Sequence, residues 1–390
     1  MQRVIPHIQR WGAVNLSDMA LQHIPQTPAP RLHELVLTSK NDIWGPDLPQ
    51  QIFGGDFSSL RRLVLEHVDF AGTHEHFPVF GKNLRSLIIR QLDRRHSQIT
   101  YTHIYQLLLQ HPNLVDLEIQ TFNWSNATDN PELLAELPLP SLRRFKLFGL
   151  GSYGEAHALP IQKIKAPNCT SFELRIPMGT QEPSGVLWAI TPYFVSVITA
   201  VPKDLKFSLI FDPDCTIAIS RGEKKFKVTL SSNCRDAGLD WVTNMLAQHR
   251  PNVTCLSISG LWTRLDEELS TLFAVLTDVT QFHVGGSMLA VWNTLGRPRE
   301  RAADGGPVQW LLPDLEQLVV RNPPGEGELH QCFIAAIQAR EAAAVERHAT
   351  GPQSRDHPKV LTKVEYQSGS QPKQDKQLSD LLGDRLLINI

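Results

Sequence analysis

Long apolar runs are missing from this 390-residue chain, and none reaches the ~18 residues that a membrane-spanning helix needs. The opening MQRVIPHIQRWGAV has neither an extended apolar core nor a small-residue cleavage site, so no secretory signal is read there. Charge of one sign is missing as well. A net charge of −2 gives no pull toward nucleic acid or anionic lipid. Cysteine is sparse, odd in number and scattered, at Cys169, Cys215, Cys234, Cys255 and Cys332. That usage favours reduced thiols over a disulfide framework and predicts a cytoplasmic or nuclear protein. The sequons at Asn15, Asn123, Asn126, Asn168 and Asn252 are then chance matches.

Chemical signatures are equally scarce. The phosphate-cradling G-x-x-x-x-G-K-[ST], the nucleophile elbow G-x-S-x-G and a CxxC pair are all absent from the sequence. His74-Glu75-His76 has two ligand types but no third within reach, and zinc asks for three or four that converge. Gly54-Gly55-Asp56-Phe57 and Asp212-Pro213-Asp214 are each accounted for by a turn. The expectation is a non-enzymatic chain with no catalytic residue, no metal site and no cofactor.

What the chain does have is a repeat. Residues 100–119, TYTHIYQLLLQHPNLVDLEI, join a helical half to a strand through His111-Pro112-Asn113. Residues 244–258 repeat this unit with one inserted residue, Arg250. The strand carries the frame apolar-x-x-apolar-x-apolar. The frame recurs at Leu32/Leu35/Leu37, Leu60/Leu63/Leu65, Leu84/Leu87/Ile89, Leu114/Leu117/Ile119, Leu142/Phe145/Leu147 and Cys169/Phe172/Leu174. It continues at Val253/Leu256/Ile258, Val279/Phe282/Val284, Leu315/Leu318/Val320 and, in worn form, Leu361/Val364/Tyr366. The first six copies start 28, 24, 30, 28 and 27 residues apart, and the gap of 84 from Cys169 to Val253 is room for three units of 28. A period of about 20–29 residues with this frame is the leucine-rich-repeat signature. The predicted fold is α/β: a leucine-rich-repeat solenoid, a curved parallel sheet of short strands with helices and loops on its convex side. One such unit cannot bury its own apolar side, so it needs copies on either flank.

The predicted solenoid runs over 1–366, with residues 1–25 as an N-terminal cap. Helices are expected at 100–110, 131–137, 239–248 and 327–348. Between 177 and 236 the frame blurs into an irregular insert. There an apolar helix over 187–201 precedes a strand at 205–211 and a hairpin around Arg221-Gly222-Glu223-Lys224-Lys225. Residues 367–390 have the composition of a flexible tail that ends in a short apolar segment.

In such a repeat the intervening frame positions line the concave sheet. They and their close neighbours place Arg61, Arg62, Arg85, Arg90, Asp116, Glu118, Arg143, Arg144 and Lys146 on one face, with Glu66 beside them. Arginine is a favoured anchor for carboxylates in protein interfaces. A solvated sheet face is the plain alternative. Asp116 and Glu118 interrupt the basic stripe and no aromatic ladder accompanies it, which argues against nucleic acid.

Five stretches stand out: RW-x-x-V-x-L at 10–16, P-x-L-x-x-L-x-L at 30–37, L-P-x-x-I-F-G-G-x-x-x-x-L-R-x-L-x-L at 48–65, L-L-x-x-H-P-N-L-x-x-L-x-I at 107–119 and A-P-N-C-x-x-F-x-L at 166–174. Together they resemble the repeat region of F-box/leucine-rich-repeat proteins of mushroom-type fungi. The resemblance implies a protein-recognition module that holds a protein substrate for a cullin ubiquitin ligase. In that family an F-box helical segment precedes the repeats and docks on the ligase adaptor. That segment is not seen ahead of Met1, so the adaptor is an expected partner only if an F-box is supplied upstream. The alternative is a stand-alone scaffold or signalling protein with no ubiquitin role. A monomer is expected, with neither nucleic-acid nor membrane partners.

Overall fold

The computed structural model describes residues 5–17, 27–39, 53, 57–68, 80–91, 101–121, 135–149, 161–176, 183–200, 204–260, 266–286, 288–299, 309–321, 328–350, 358–367 and 376–389. The repeat predicts one run through residue 366, and the contacts divide the chain into two compact units, Met1–Tyr193 and Phe194–Ile390. Both are built on a mostly parallel sheet with helices.

The first unit has strands β1 (Ala13–Ser17), β2 (Glu34–Thr38), β3 (Arg62–Glu66), β4 (Ser86–Gln91), β5 (Asp116–Thr121), β6 (Arg144–Phe148) and β7 (Ser171–Ile176). They lie side by side in chain order, each parallel to the next. The register follows the frame, with Leu35, Leu63, Leu87, Leu117, Phe145 and Phe172 in one row and Leu37, Leu65, Ile89, Ile119, Leu147 and Leu174 in another. All of these are buried, as is the leading frame residue of each copy. Alternation along each strand therefore sends the frame inward and the x positions outward.

Several copies are punctuated by a short turn in which the leading frame residue donates its N–H three residues back, as in Leu32 to Ala29, Leu60 to Phe57, Leu114 to His111 and Leu142 to Leu139. Proline, asparagine and serine fill those turns (Pro112-Asn113, Pro140-Ser141, Pro167-Asn168), each suited to the local geometry. Just before each strand, one carbonyl accepts two N–H groups from the next repeat. His33 receives Arg61 and Arg62, Arg61 receives Arg85 and Ser86, and Arg85 receives Val115 and Asp116. The asparagine that a regular repeat places after its strand is mostly missing here. Turn-to-turn bonds from Asn83 to the Ser58 carbonyl (2.6 Å) and from Asn168 to the Pro140 carbonyl (2.8 Å) join consecutive units instead.

The helical half of the founding unit is α1 (Tyr101–Leu109), with Ile104, Leu107 and Leu108 buried. His111, in the turn that follows, is 1% exposed. Burial pushes its imidazole down to about 4, only partly opposed by a backbone hydrogen bond with Gly81. Between the usual 6.5 and about 4 the unfolded chain takes up a proton that the folded chain refuses. Stability present above pH 6.5 is therefore lost as pH falls toward 4, by up to about 3 kcal/mol. Urea midpoints for the wild type and His111→Leu, taken at pH 7.5 and 4.5, should show the larger acid loss in the wild type. Equal losses in both would mean that His111 does not titrate on unfolding. In the second copy of this unit the extra Arg250 adopts a left-handed conformation (φ 43°) and closes the helix by donating to Leu246. That leaves His249 exposed where His111 is buried.

Helix α2 (Ser184–Ile198) contains the boundary between the two units. Tyr193 stacks on Phe172 with ring centroids 4.4 Å apart, and its hydroxyl donates to the Ile164 carbonyl (3.0 Å). The short pairing of Leu137–Pro138 with Ile164–Lys165 also belongs to the first unit. The helix expected over 131–137 falls mostly outside the described residues, and its last residue, Leu137, is in that short strand.

The second unit opens with strands β8 (Leu205–Asp212), β9 (Asp214–Arg221) and β10 (Lys224–Leu230). These form an antiparallel meander, so the 84-residue gap is not filled by regular units of the frame. The meander is part of the sheet, since β8 pairs in parallel with β11 (Val253–Gly260). Parallel strands β12 (Gln281–Gly285), β13 (Gln317–Arg321), β14 (Lys363–Gln367) and β15 (Leu386–Asn389) follow in order. Helices α3 (Arg235–His249), α4 (Asp266–Val275), α5 (Leu289–Leu295) and α6 (Glu328–Thr350) alternate with them. The expected flexible tail is corrected at 376–382, and the short apolar segment that ends it is a strand. There α7 (Lys376–Leu382) buries Leu378 and Leu382, and β15 pairs with β14. Two buried leucines and a strand partner outweigh the polar composition around them. Among the described residues no helix is long and apolar enough to cross a membrane.

Candidate functional site

The outward positions of β2 to β6 form a lattice of alternating charge. Arg62 on β3 contacts Glu34 on β2 (2.9 Å). Arg90 on β4 bridges Glu66 on β3 (2.7 Å) and Glu118 on β5 (2.9 Å). Arg144 on β6 forms a bidentate pair with Asp116, its Nη2 lying 2.7 Å from Oδ2. Lys146 stands 3.9 Å from the second Glu118 oxygen, and Thr38 donates to Glu66 (3.2 Å). The register makes this possible, because Glu34↔Arg62, Glu66↔Arg90, Asp116↔Arg144 and Glu118↔Lys146 are direct neighbours on adjoining strands. Opposite charges in such pairs attract across the strand spacing.

The electrostatics follow from these contacts. Partial burial lowers the Arg90 guanidinium, but its hydrogen bonds to Glu118 and Glu66 raise it further, and the net shift is upward. The hydrogen bond to Asp116 raises Arg144. Exposed pairs of this kind contribute roughly 0–1 kcal/mol each. The lattice therefore sets the charge pattern of the face more than it holds the fold together.

The nine residues singled out by sequence fall into two sets. Arg62, Arg90, Asp116, Glu118, Arg144 and Lys146 are on the sheet face, where the basic bias expected of it is offset by acids on neighbouring strands. Arg61, Arg85 and Arg143 lie one residue ahead of β3, β4 and β6, at the edge where the strands begin. Arg85 and Arg143 each donate to a turn carbonyl of the next unit, Asn113 (3.2 Å) and Asn168 (3.3 Å). Sequence reasoning missed Glu34, because β2 was read only for its leucines. It also missed Arg31, His33, Ser58, Ser59 and Asn83, which surround Arg61 and Arg85 at the edge. The signal was present in the residue immediately before each strand, which is His33, Arg61 and Arg85 in consecutive copies.

Other candidates resolve into structure. Arg221 and Lys224 of the 221–225 loop are aimed at the last turn of α2. Arg221 donates to the Ile198 and Ala200 carbonyls (2.6 and 2.8 Å) and Lys224 to that of Ser196 (2.9 Å). Cations there satisfy orphan carbonyls and oppose the helix dipole. Asp212-Pro213-Asp214 is the tight connection between β8 and β9. His74-Glu75-His76 lies outside the described residues, and so do Gly54 to Asp56, while Phe57 is buried. Among the described residues no group of three or more His, Cys, Asp or Glu could hold a metal ion. The five cysteines are free thiols, and burial raises those of Cys215 and Cys255.

No family model matches the chain, and no curated protein matches it.

Proposed function

We propose that the chain is a leucine-rich-repeat solenoid that acts as a non-enzymatic protein-recognition module, the substrate-binding repeat region of an F-box-type ubiquitin-ligase receptor. The observation that carries this reading is the charge lattice on β2 to β6. It offers a broad face of alternating guanidinium and carboxylate groups on a sheet whose register keeps their spacing constant. A partner surface can exchange with those surface pairs, replacing an internal carboxylate with one of its own, and specificity then comes from the charge pattern. The ubiquitin role rests on the sequence resemblance, and the ligase adaptor would join through an F-box upstream of the repeats.

The test is affinity capture from the native cell with wild-type bait and with Arg62→Gln/Arg90→Gln/Arg144→Gln, followed by mass spectrometry. Each substitution should cost less than about 1 kcal/mol, so the variant stays folded, and its thermal midpoint checks this. Capture of adaptor and cullin through a longer form, together with further proteins that the variant loses, supports the reading. Captured proteins held equally by the variant would remove the face from consideration. Reproducible partners without adaptor or cullin would make the chain a stand-alone scaffold.

A further inference from the structure

The edge where β2, β3 and β4 begin differs from the face beside it. Arg31, His33, Ser58, Ser59, Arg61, Asn83 and Arg85 line an open concavity of about 890 Å³. We propose that this concavity binds a phosphate monoester carried on a protein segment.

The described lining holds three guanidinium groups, an imidazole, two hydroxyls and an amide, and no carboxylate. On the face, by contrast, Arg62, Arg90 and Arg144 each have an acid as partner. Arg31 and Arg61 make no side-chain hydrogen bond or ion pair among the described residues. Arg85 uses one N–H on the Asn113 carbonyl, and a guanidinium has five to give.

The backbone holds these groups close together. The Arg61 N–H donates to His33 (2.9 Å) and the Arg85 N–H to Arg61 (2.8 Å). Their chain positions are thus one strand spacing apart, about 4.8 Å. Like charges carried on adjoining chain positions repel one another, and the described lining holds no acid to offset that repulsion. A compact dianion would. A phosphate monoester brings a charge of about −1.5 to −2 and three strong acceptor oxygens, suited to several guanidinium forks at once. A lone carboxylate brings half the charge. The concavity is in the size range of pockets that hold whole ligands, about 300–1,000 Å³, far more than one phosphate fills. It is open to solvent, as a phosphate on an extended chain requires. This choice of carrier rests on the protein-recognition reading, whereas the anion site itself does not.

The test uses a degenerate peptide pool of the form Ala-Ala-x-x-phosphoserine-x-x-Ala, its unphosphorylated twin, and inorganic phosphate. Binding to the full chain is followed by fluorescence anisotropy, with the thermal midpoint as a check on folding. The phosphorylated pool should bind at least tenfold tighter than its twin and weaken as salt rises. Arg61→Gln and Arg31→Gln should each reduce that binding about tenfold while leaving the thermal midpoint unchanged. Equal binding of both pools, or binding that both variants retain, would overturn the proposal. If inorganic phosphate binds as tightly as the phosphorylated pool and is lost in Arg61→Gln, the protein-borne source is overturned along with its support for recognition. Failure of every anion, beside a face-dependent partner in the capture experiment, would sink this site alone and leave the recognition reading standing.

Discussion

Gly260→Ala should destabilise the protein by roughly 4 kcal/mol, the largest effect expected of a single substitution (strain of about 1–3 kcal/mol from the backbone, the rest from a clash). Gly260 ends β11 with φ 134°, a conformation that side chains disfavour. A Cβ there would overlap the carbonyl oxygen of Phe211, its register partner on β8, and backbone cannot swing away as a flexible side chain can. The next strand repeats the arrangement, because Gly286 (φ 80°) closes against the Gly260 carbonyl. Urea unfolding followed by tryptophan fluorescence measures the loss. A change below about 1 kcal/mol would mean that the strand end relaxes at little cost.

Arg340→Met should cost about 3 kcal/mol, for the opposite reason: a partner is removed and its acceptors stay. Arg340 on α6 is fully buried, and it donates to the carbonyls of Leu311 (2.8 Å) and Leu312 (2.7 Å). Burial pulls its guanidinium down to about 10, with Glu341 opposing, so it remains charged at neutral pH. Two effects compete in the variant. Removing a buried charge relieves desolvation, and replacing a buried ion pair as a whole is often neutral. Here only the donor leaves: the Leu311 carbonyl is orphaned at about 1–3 kcal/mol, and the Leu312 carbonyl loses its charged donor but keeps the Leu315 N–H (3.2 Å). The second effect should win, because methionine fills the volume of the stem but cannot donate. Those carbonyls also belong to a turn in which Leu312 takes φ 50°, so the turn is held from outside as well as by its own residues. A variant as stable as the wild type would show that desolvation dominates.

Neighbouring contacts limit how far α6 can shift to compensate. Glu341 accepts the Leu361 N–H (3.1 Å) and pairs with Arg385 (2.8 Å), which also donates to the Leu361 carbonyl (2.8 Å). Leu361 and Arg385 are thereby tied to the helix.

Much of the fold is legible in single residues. Leu35, Leu63, Leu87 and Leu117 are buried and in register because spacings of three and two put them all on the same side of a strand. The turns at Pro112-Asn113, Pro140-Ser141 and Pro167-Asn168 are visible for the same kind of reason, since their chemistry is local. The meander of β8 to β10 was half visible. The glycine loop at 222 marks one hairpin, and the acids around Pro213 mark a turn after a strand, but not that the next strand pairs back on it.

The candidate site was legible as a set of residues and not as an arrangement. The sequence by itself determined a mostly parallel α/β architecture, the chain order of the strands that carry the frame, and a face rich in arginine and acid. Those properties follow from periodicity and local turn chemistry, which neighbouring residues are enough to specify. Only the tertiary structure decided which charges meet. Arg90 lies 24 residues from Glu66 and 28 from Glu118, and a one-residue change of register would turn it to the other face. Likewise, Arg61 and Arg62 are adjacent in the chain, yet one lines a concavity with no acid among its described residues and the other pairs with Glu34. Pairing depends on distances between strands, and those are set by how the repeats stack rather than by any stretch within one of them.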